Sequence, residues 1–361
     1  MNGVLVRVLT LAFGLLSALV PCRAAQDVPS GRIVAVDQFV GNLGARVYLP
    51  TKYDGTVPAP VICFERAFGI AESATFQRFT PTAEELGWIA VIVDGAGAPT
   101  IDLLAEASSR RFNVHPSLRF TFSFWNVPPA AVALGCRQKP SVAGGMAVNC
   151  AIIDPVPKGK TILWLTRGRG IESQGPPARR DETVRNFVSL AARGWPVRLD
   201  MFDGTSEPTA DVLNEGARWM MRTYLRIGGR LTGSDRQPLS DFMALELEKA
   251  ERHRDTGRFY QAFEIAEDLR TVKAPLQEPF TSLYNDLVAS EEVQAELKVR
   301  EALQMLIRAA ATAYERKSLP VARQAAAGLN SLCLDHGKSH VAILAADIKS
   351  DLEARIRKGE L

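Results

Sequence analysis

The stretch RFTFSFWNVPPAAVALGC, residues 119–136, has the pattern of a strand, a sharp turn and a helix. Its first six residues are rich in aromatic and β-branched side chains, which favour a strand. Asn126 tolerates left-handed backbone angles and suits a strained turn. Pro128 and Pro129 favour the start of a helix, predicted over Pro129–Cys136. A strand that leads directly into a helix is the unit of a mainly parallel α/β sheet.

The same alternation of strands and helices extends over residues 32–226. RIVAVDQFV and ARVYLP predict an opening hairpin around Gly41-Asn42. Further short β-rich runs are APVICF, WIAVIVDG, GMAVNCAII, KTILWL and WPVRLDMF. Helices are expected at Thr82–Leu86, Ile101–Phe112, Arg180–Ala192 and Ala210–Tyr224. Because the strands are apolar nearly throughout, the pattern predicts a doubly wound, mainly parallel sheet with helices on both faces.

The chain changes character after the polar, glycine-rich stretch GGRLTGSDRQPLS at residues 228–240. Beyond it Ala, Leu, Glu, Lys and Arg dominate, and apolar residues recur at helical spacing. The sequence therefore predicts a sheet domain at 25–230, a linker at 231–240 and an all-α domain at 241–361.

Two parts of the helical region are alike. Residues 244–269 and 308–332 each contain a helix, a short turn and a second helix. The second helices carry small residues four apart, Ala262 and Ala266 in one and Ala322 and Ala326 in the other. This plan resembles tetratricopeptide-type hairpins, although the aromatic and Leu-Gly positions of the first helix are missing. An irregular helical bundle is the alternative.

The N-terminus has the features of a secretory signal. MNGVLVRVLTLAFGLLSALVPCRAAQ has a lone Arg7 in its short start region, followed by an apolar run from Val8 to Val20 that ends at Pro21. Small residues up to Ala24 fit cleavage there, so residues 1–24 are predicted to be removed and the protein exported, to the periplasm or outside the cell. The run is shorter than the ~20 residues of a membrane span. We therefore expect no span after cleavage, with an uncleaved anchor as the alternative.

Composition excludes several partners. With 47% hydrophobic and 23% charged residues, a net charge of +3 and no long run of like charges, the chain is not expected to bind nucleic acid. After the signal, the cysteines Cys63, Cys136, Cys150 and Cys333 match no disulfide or zinc framework, and no H-E-x-x-H is present. No metal and no cofactor are expected.

Residues 44–226 resemble the secreted esterase branch of the α/β-hydrolases, which includes polyhydroxybutyrate depolymerases and feruloyl esterases. The similarity lies in the order and spacing of YLPTKYDG, PVICFERAFG, GWIAVIVDGAG, the 119–136 stretch and GWPVRLDMFDGTSEPT. It implies an α/β-hydrolase fold with a Ser-Asp-His triad, whose serine sits on a sharp turn between strand and helix.

The motifs of that family are degenerate in this chain. Glu65-Arg66 stands where the oxyanion loop begins His-Gly, and a carboxylate there opposes the developing negative charge. Trp125 and Asn126 stand in the nucleophile motif, with Asn126 in place of serine. The acid position holds Gly170. Ser206 stands in place of the histidine, directly before EPT.

The sequence thus predicts an exported α/β-hydrolase-fold protein that has lost its triad and acts as a ligand- or partner-binding pseudoenzyme. A small ligand is expected in the former cleft, and a protein partner on the helical domain. The rim of that cleft is predicted to comprise Glu65, Arg66, Trp125, Asn126, Arg167 and Arg169. Its arginines suit a carboxylate or an acidic glycan. Two alternatives stay open: an active carboxylesterase or depolymerase-like hydrolase with an atypical site, and a scaffold for an envelope complex.

Overall fold

The structure is a computed structural model that describes most of the chain after residue 27. The described residues are 28–64, 70–93, 101–124, 143–149, 161–169, 182–204, 207–228, 236–274, 276–337 and 339–361.

Eight strands of the described chain form one sheet. They are β1 (Ile33–Val40), β2 (Leu43–Tyr48), β3 (Ala59–Phe64), β4 (Ile89–Val93), β5 (Val114–Phe124), β6 (Gly144–Val148), β7 (Ile162–Gly168) and β8 (Val197–Phe202). Their order is β1-β2-β4-β3-β5-β6-β7-β8. The β2 strand is antiparallel to both its neighbours, and all other pairs are parallel. This is the α/β-hydrolase arrangement, and the predicted mainly parallel sheet is confirmed.

The described residues form ten helices. They are α1 (Ile70–Leu86), α2 (Ile101–Arg111), α3 (Thr183–Ala192), α4 (Ala210–Gly228), α5 (Arg236–Asp255), α6 (Phe259–Leu269), α7 (Gln277–Val288), α8 (Glu291–Arg316), α9 (Leu319–Asp335) and α10 (His340–Lys358). We refer to α5–α10 as the helical tail. The predicted all-α character of this region is confirmed. Helix α5 begins at Arg236, within the stretch expected to be a linker. In the part of the chain that the structure describes, no helix has the length and hydrophobicity of a membrane span.

Helix α1 is much longer than the predicted Thr82–Leu86. The predicted helix began directly after Pro81. In the structure the helix continues through Pro81. The reason is packing: the rings of Phe76 and Phe79 lie 5.3 and 5.6 Å from that of Phe64 on β3, and both side chains are buried. Burial of these aromatic side chains outweighs the cost of an interior proline.

The helical tail packs on the same core as the sheet. The largest apolar cluster is continuous and includes residues from Tyr48 of β2 to Leu352 of α10. Helix α4 contacts α6, and α3 contacts α8 and α10. The helices α3 and α4 that pack on the sheet thus also contact the tail directly.

Two close approaches explain glycines inside helices. A Cβ at Gly216 of α4 would collide with the Trp164 ring of β7, and a Cβ at Gly328 of α9 would collide with Leu306 of α8. Both helices therefore sit nearer to their partners than a larger residue would allow. Between the helices of the two hairpins, Gly257 and Lys317 adopt positive φ angles of 74° and 47°.

Candidate functional site

The predicted catalytic positions follow the carboxyl ends of parallel strands. Strands β3, β5, β7 and β8 run in the same direction and end at the same end of the sheet, where ligands bind in open α/β folds. Of the residues that the sequence places there, Arg167 and Arg169 are described, and the others lie outside the described residues. They are Glu65, Arg66, Trp125, Asn126, Gly170 and Ser206.

Ser123 and Asn149 are two of the polar residues described at this end of the sheet. Ser123 of β5 is 1% exposed, and its hydroxyl donates a 3.4 Å hydrogen bond to the carbonyl of Met146 on β6. Asn149, which follows β6, is buried with a φ of 51°. Its Oδ1 accepts from the Gly168 N–H at 3.0 Å, and its own N–H donates to the Thr166 carbonyl at 2.9 Å. Asn149 thus joins the ends of β6 and β7, a role that the sequence analysis did not anticipate.

All four histidines of the chain fall within the described residues, and none follows the carboxyl end of a strand. His115 lies in β5 itself rather than in a preceding loop, at the amino end, where its Nδ1 accepts from the Ser117 N–H at 3.2 Å. His253 lies in α5, His336 follows α9, and His340 begins α10. A serine hydrolase takes its general base from a histidine beside the nucleophile.

The predicted rim arginines lie at the end of β7 and face the helical tail. The Arg169 N–H donates to the Phe202 carbonyl at 2.9 Å, and its side chain pairs with exposed Asp203 at 3.1 Å. Burial raises the pKa of Asp347 on α10, while Arg169 and Arg167 partly oppose that rise. The charges at the end of β7 and on α10 therefore interact across the space between the sheet and the tail.

That space is a cavity of about 520 Å³, which we call the junction cavity. It lies between β8 and the helices α4, α6, α8 and α10. Trp195, Trp219 and Tyr260 contribute aromatic surface, and Tyr260 is only 2% exposed. Among the described residues, no group of three or more His, Cys, Asp or Glu side chains is arranged to hold a metal ion.

Five arginines and five acidic residues line the junction cavity, and nearly all are paired. Arg198 binds Asp200 at 2.8 Å, and Arg300 binds Glu267 at 2.7 and 3.0 Å. The ion pairs of the remaining arginines are Arg222–Asp268 at 3.3 Å, Arg226–Asp268 at 3.4 Å and Arg169–Asp203. Two lining carboxylates, Glu264 and Asp347, make no hydrogen bond or ion pair with any described residue.

The electrostatics of Glu264 follow from its position on α6. Burial raises its pKa, Asp268 adds to that rise, and Arg198, His340 and Arg222 oppose it. Burial also raises the pKa of Tyr260, with Glu264 as the next cause. The cavity therefore contains a carboxyl group that is costly to ionise beside a phenol that stays protonated.

A set of charges that reaches the cavity wall at Arg222 and Asp268 is fully paired, and we call it the buried arginine network: Glu85, Arg218, Arg222, Glu246 and Asp268. Glu246 is 0% exposed and accepts from Arg218 and, at 2.6 Å, from Arg222. Arg218 also pairs with Glu85 of α1. Burial lowers the pKa of Arg222, but the carboxylates of Glu246 and Asp268 raise it by more. The network connects α1 and α4 to α5 and α6 of the helical tail.

The end of the tail has its own clamp. Arg355 of α10 donates to Glu182, which precedes α3, at 2.7 Å and to Asp351 at 2.7 Å. The Tyr314 hydroxyl donates to the same Asp351 carboxylate at 2.8 Å, and the guanidinium lies 5.6 Å from the Tyr314 ring centre. The last helix is thereby held against the sheet part of the chain.

Tyr260, Glu264 and Asp347 were not among the site residues predicted from the sequence. A usable signal existed, because each acid interrupts an apolar helical run, FYQAFEIA around Glu264 and VAILAADI around Asp347. An acidic residue within the buried stripe of a helix is rarely accommodated without a partner.

Solved structures with a related arrangement are esterases and hydrolases. The S-formylglutathione hydrolase FrmB of Staphylococcus aureus is 10% identical with a TM-score of 0.40, covering 54% of this chain and 98% of that one. A hyperthermophilic esterase from Pyrobaculum calidifontis is 13% identical with a TM-score of 0.41, covering 56% and 89%. The metagenomic carboxylesterase EstE1 is 14% identical with a TM-score of 0.39, covering 55% and 91%.

A scan against protein-family models and a search of curated proteins find no match. The strand order of the sheet, and not the similarity scores, identifies the α/β-hydrolase fold.

Proposed function

We propose that this chain is a binding protein on an α/β-hydrolase fold that has lost the Ser-Asp-His triad. The position of the four histidines carries the proposal: His115 lies at the amino end of β5, and the other three lie in the helical tail. A serine hydroxyl is a weak nucleophile near neutral pH unless a base stands beside it. Without that base the fold keeps its shape but not its chemistry.

The serine nearest to the predicted turn supports the same conclusion. Ser123 is buried in β5 and donates its hydroxyl to the Met146 carbonyl of the neighbouring strand. A nucleophile has to be exposed at the tip of the turn to reach a substrate. At the positions that the family motifs assign to the triad, this chain carries Asn126, Gly170 and Ser206.

The finer parts of the proposal concern origin, export and partners. The sheet part descends from the secreted esterase branch, and residues 1–24 direct the protein to the periplasm or outside the cell. The helical tail, whose hairpins resemble tetratricopeptide repeats, presents its outer surface to a protein partner. The signal-like N-terminus and the paired small residues of the hairpins support these parts.

The test is a measurement of hydrolysis by the purified mature protein. We expect no saturable turnover of p-nitrophenyl acetate and no labelling by a fluorophosphonate probe, with an active esterase as the positive control. Asn126→Ser is expected to stay at background as well, because a restored hydroxyl still lacks its base. Saturable turnover that Asn126→Ala abolishes would instead establish an active hydrolase with an unfamiliar site.

A further inference from the structure

The junction cavity is lined by two carboxylates that form no ion pair with a described residue. Its arginines are all in ion pairs, whereas Glu264 and Asp347 are not. We propose that the junction cavity binds an aliphatic diamine or polyamine, with Glu264 and Asp347 receiving its ammonium groups. This inference does not rest on the loss of hydrolysis, because the cavity lies along β8 and the tail.

The size of the cavity suits a small organic molecule. Ligand pockets in proteins usually enclose roughly 300–1,000 Å³, and this one encloses about 520 Å³. Apolar side chains of α8 and α10, including Leu303, Ile307 and Leu344, supply surface for the methylene groups of a ligand. The walls come from several elements that are packed on one core, so the site is formed before a ligand enters.

The charges favour a cation over an anion. A carboxylate taken out of water without a partner costs free energy, and burial raises the pKa of both Glu264 and Asp347. An ammonium group removes that cost by neutralising the carboxylate. An anionic ligand would have to displace existing ion pairs such as Arg300–Glu267, and it would face the same two carboxylates.

The aromatic lining independently favours ammonium groups. The faces of Trp195, Trp219 and Tyr260 carry negative potential that attracts cations. The Tyr260 side chain is 2% exposed, and its hydroxyl makes no hydrogen bond with any described residue. A buried phenol usually finds a hydrogen-bond partner within the protein. Here the Tyr260 oxygen can instead accept a hydrogen bond from the N–H of an ammonium group.

The placement of the two carboxylates favours more than one charge on the ligand. Glu264 is on α6 and Asp347 is on α10, and both line the same cavity. A monoamine would neutralise one and leave the other without a partner. A molecule with two separated ammonium groups serves both, which is why we specify diamines and polyamines.

The experiment measures binding by calorimetry with the full mature chain. The probes are 1,5-diaminopentane and spermidine, with pimelate and maltotriose as the anionic and neutral comparisons. We expect binding of one or both amines and none of the comparisons. Absence of amine binding, or preferential binding of pimelate or maltotriose, would overturn the proposal. Ester hydrolysis is measured separately, so failure here and failure of the proposed function give different results.

Variants then locate the site. Glu264→Gln and Asp347→Asn preserve side-chain shape, and each is expected to weaken amine binding about tenfold or more, as the loss of a charge-assisted contact predicts. The matched control is Glu301→Gln, an exposed residue of α8 that does not line the cavity, and it should bind like wild type. Equal binding by all three variants would place the amines elsewhere.

Tyr260→Phe, which removes only a hydroxyl, provides a further variant in case either carboxylate variant folds poorly, and it is expected to weaken binding about threefold or more. Unchanged binding by Tyr260→Phe would likewise contradict the proposal.

Discussion

The buried arginine network and the junction cavity share Arg222 and Asp268, but they differ in whether every charged side chain has a partner. In the network every member has a partner, and Glu246 is shared by two arginines. In the cavity Glu264, one helix further along the chain, makes no ion pair with a described residue. Buried charges are tolerated when paired and costly when not. The network joins the helical tail to α1 and α4 through paired charges. The lining carboxylate Glu264 is left for the ammonium ligand that we propose.

The largest effect is expected when the shared carboxylate of the network is removed. Glu246→Ala leaves Arg218 and Arg222 without their shared carboxylate, and we expect the free energy of unfolding to fall by about 4–5 kcal/mol. Urea denaturation measures it. The control is Glu248→Ala, which removes an exposed pair with Arg252 and should cost no more than about 0.5 kcal/mol. Similar losses in the two variants would contradict a structural role for the network.

The ion pairs of Arg355, at the far end of the tail, are also expected to stabilise the packing of the tail against the sheet part of the chain. Arg355→Ala removes the partner of Glu182 and Asp351, and we expect a loss of about 3 kcal/mol in the free energy of unfolding. Hydrogen exchange should show the loss of protection concentrated in α10 and α3. Arg357→Ala, on the exposed side of the same helix, is the control and should change neither measurement.

Shape rather than charge governs another contact near the cavity. Gly216→Ala places a methyl group against the buried Trp164 ring, and we expect it to destabilise the protein by about 2 kcal/mol. In Gly228→Ala, at the end of the same helix, the added Cβ meets the Tyr224 ring at an ordinary 3.9 Å. That control should be neutral or slightly stabilising, as the usual helix propensity predicts. If both variants lose stability equally, the contact with Trp164 is not the cause.

Glu264→Gln is expected to give the smallest change in the free energy of unfolding, and this change should be stabilising. Burial raises the pKa of Glu264, helped by Asp268 and opposed by Arg198, His340 and Arg222. The folded state therefore binds the proton more tightly, and stability is lost as pH rises from the usual glutamate pKa through the raised one. Glutamine avoids that loss, so the variant should be more stable at pH 7 by about 1 kcal/mol.

The pH dependence checks the cause of this gain. Below the ordinary glutamate range Glu264 is protonated in both states, so the advantage of Glu264→Gln over wild type should vanish in urea titrations there. Glu301→Gln should match wild type at each pH. A variant that is less stable than wild type at pH 7 would show that Glu264 has a structural partner.

Much of the fold was predictable because strands, helices and turns each have a local sequence pattern. Apolar runs of four to eight residues predicted the strands, and the Gly41-Asn42 turn predicted the first hairpin. The bounds of α2 agree with the prediction within one residue. Helix α1 was not predictable from Pro81 alone, because its first turns are stabilised by Phe76 and Phe79 against β3.

Local sequence patterns do not predict which charged side chains of the candidate site are paired. The sequence alone shows that no histidine lies between His115 and His253, and therefore none in the segments directly after β7 and β8. It did not distinguish Glu246 from Glu264, because both are glutamates in amphipathic helices 18 positions apart. In the folded chain Glu246 meets Arg218 and Arg222, whereas Glu264 lines the cavity, and this difference arises from tertiary packing. The physical reason is that ion pairing and desolvation depend on distance and burial in space, which residues such as Glu85 and Arg218, far apart in the chain, acquire only by packing.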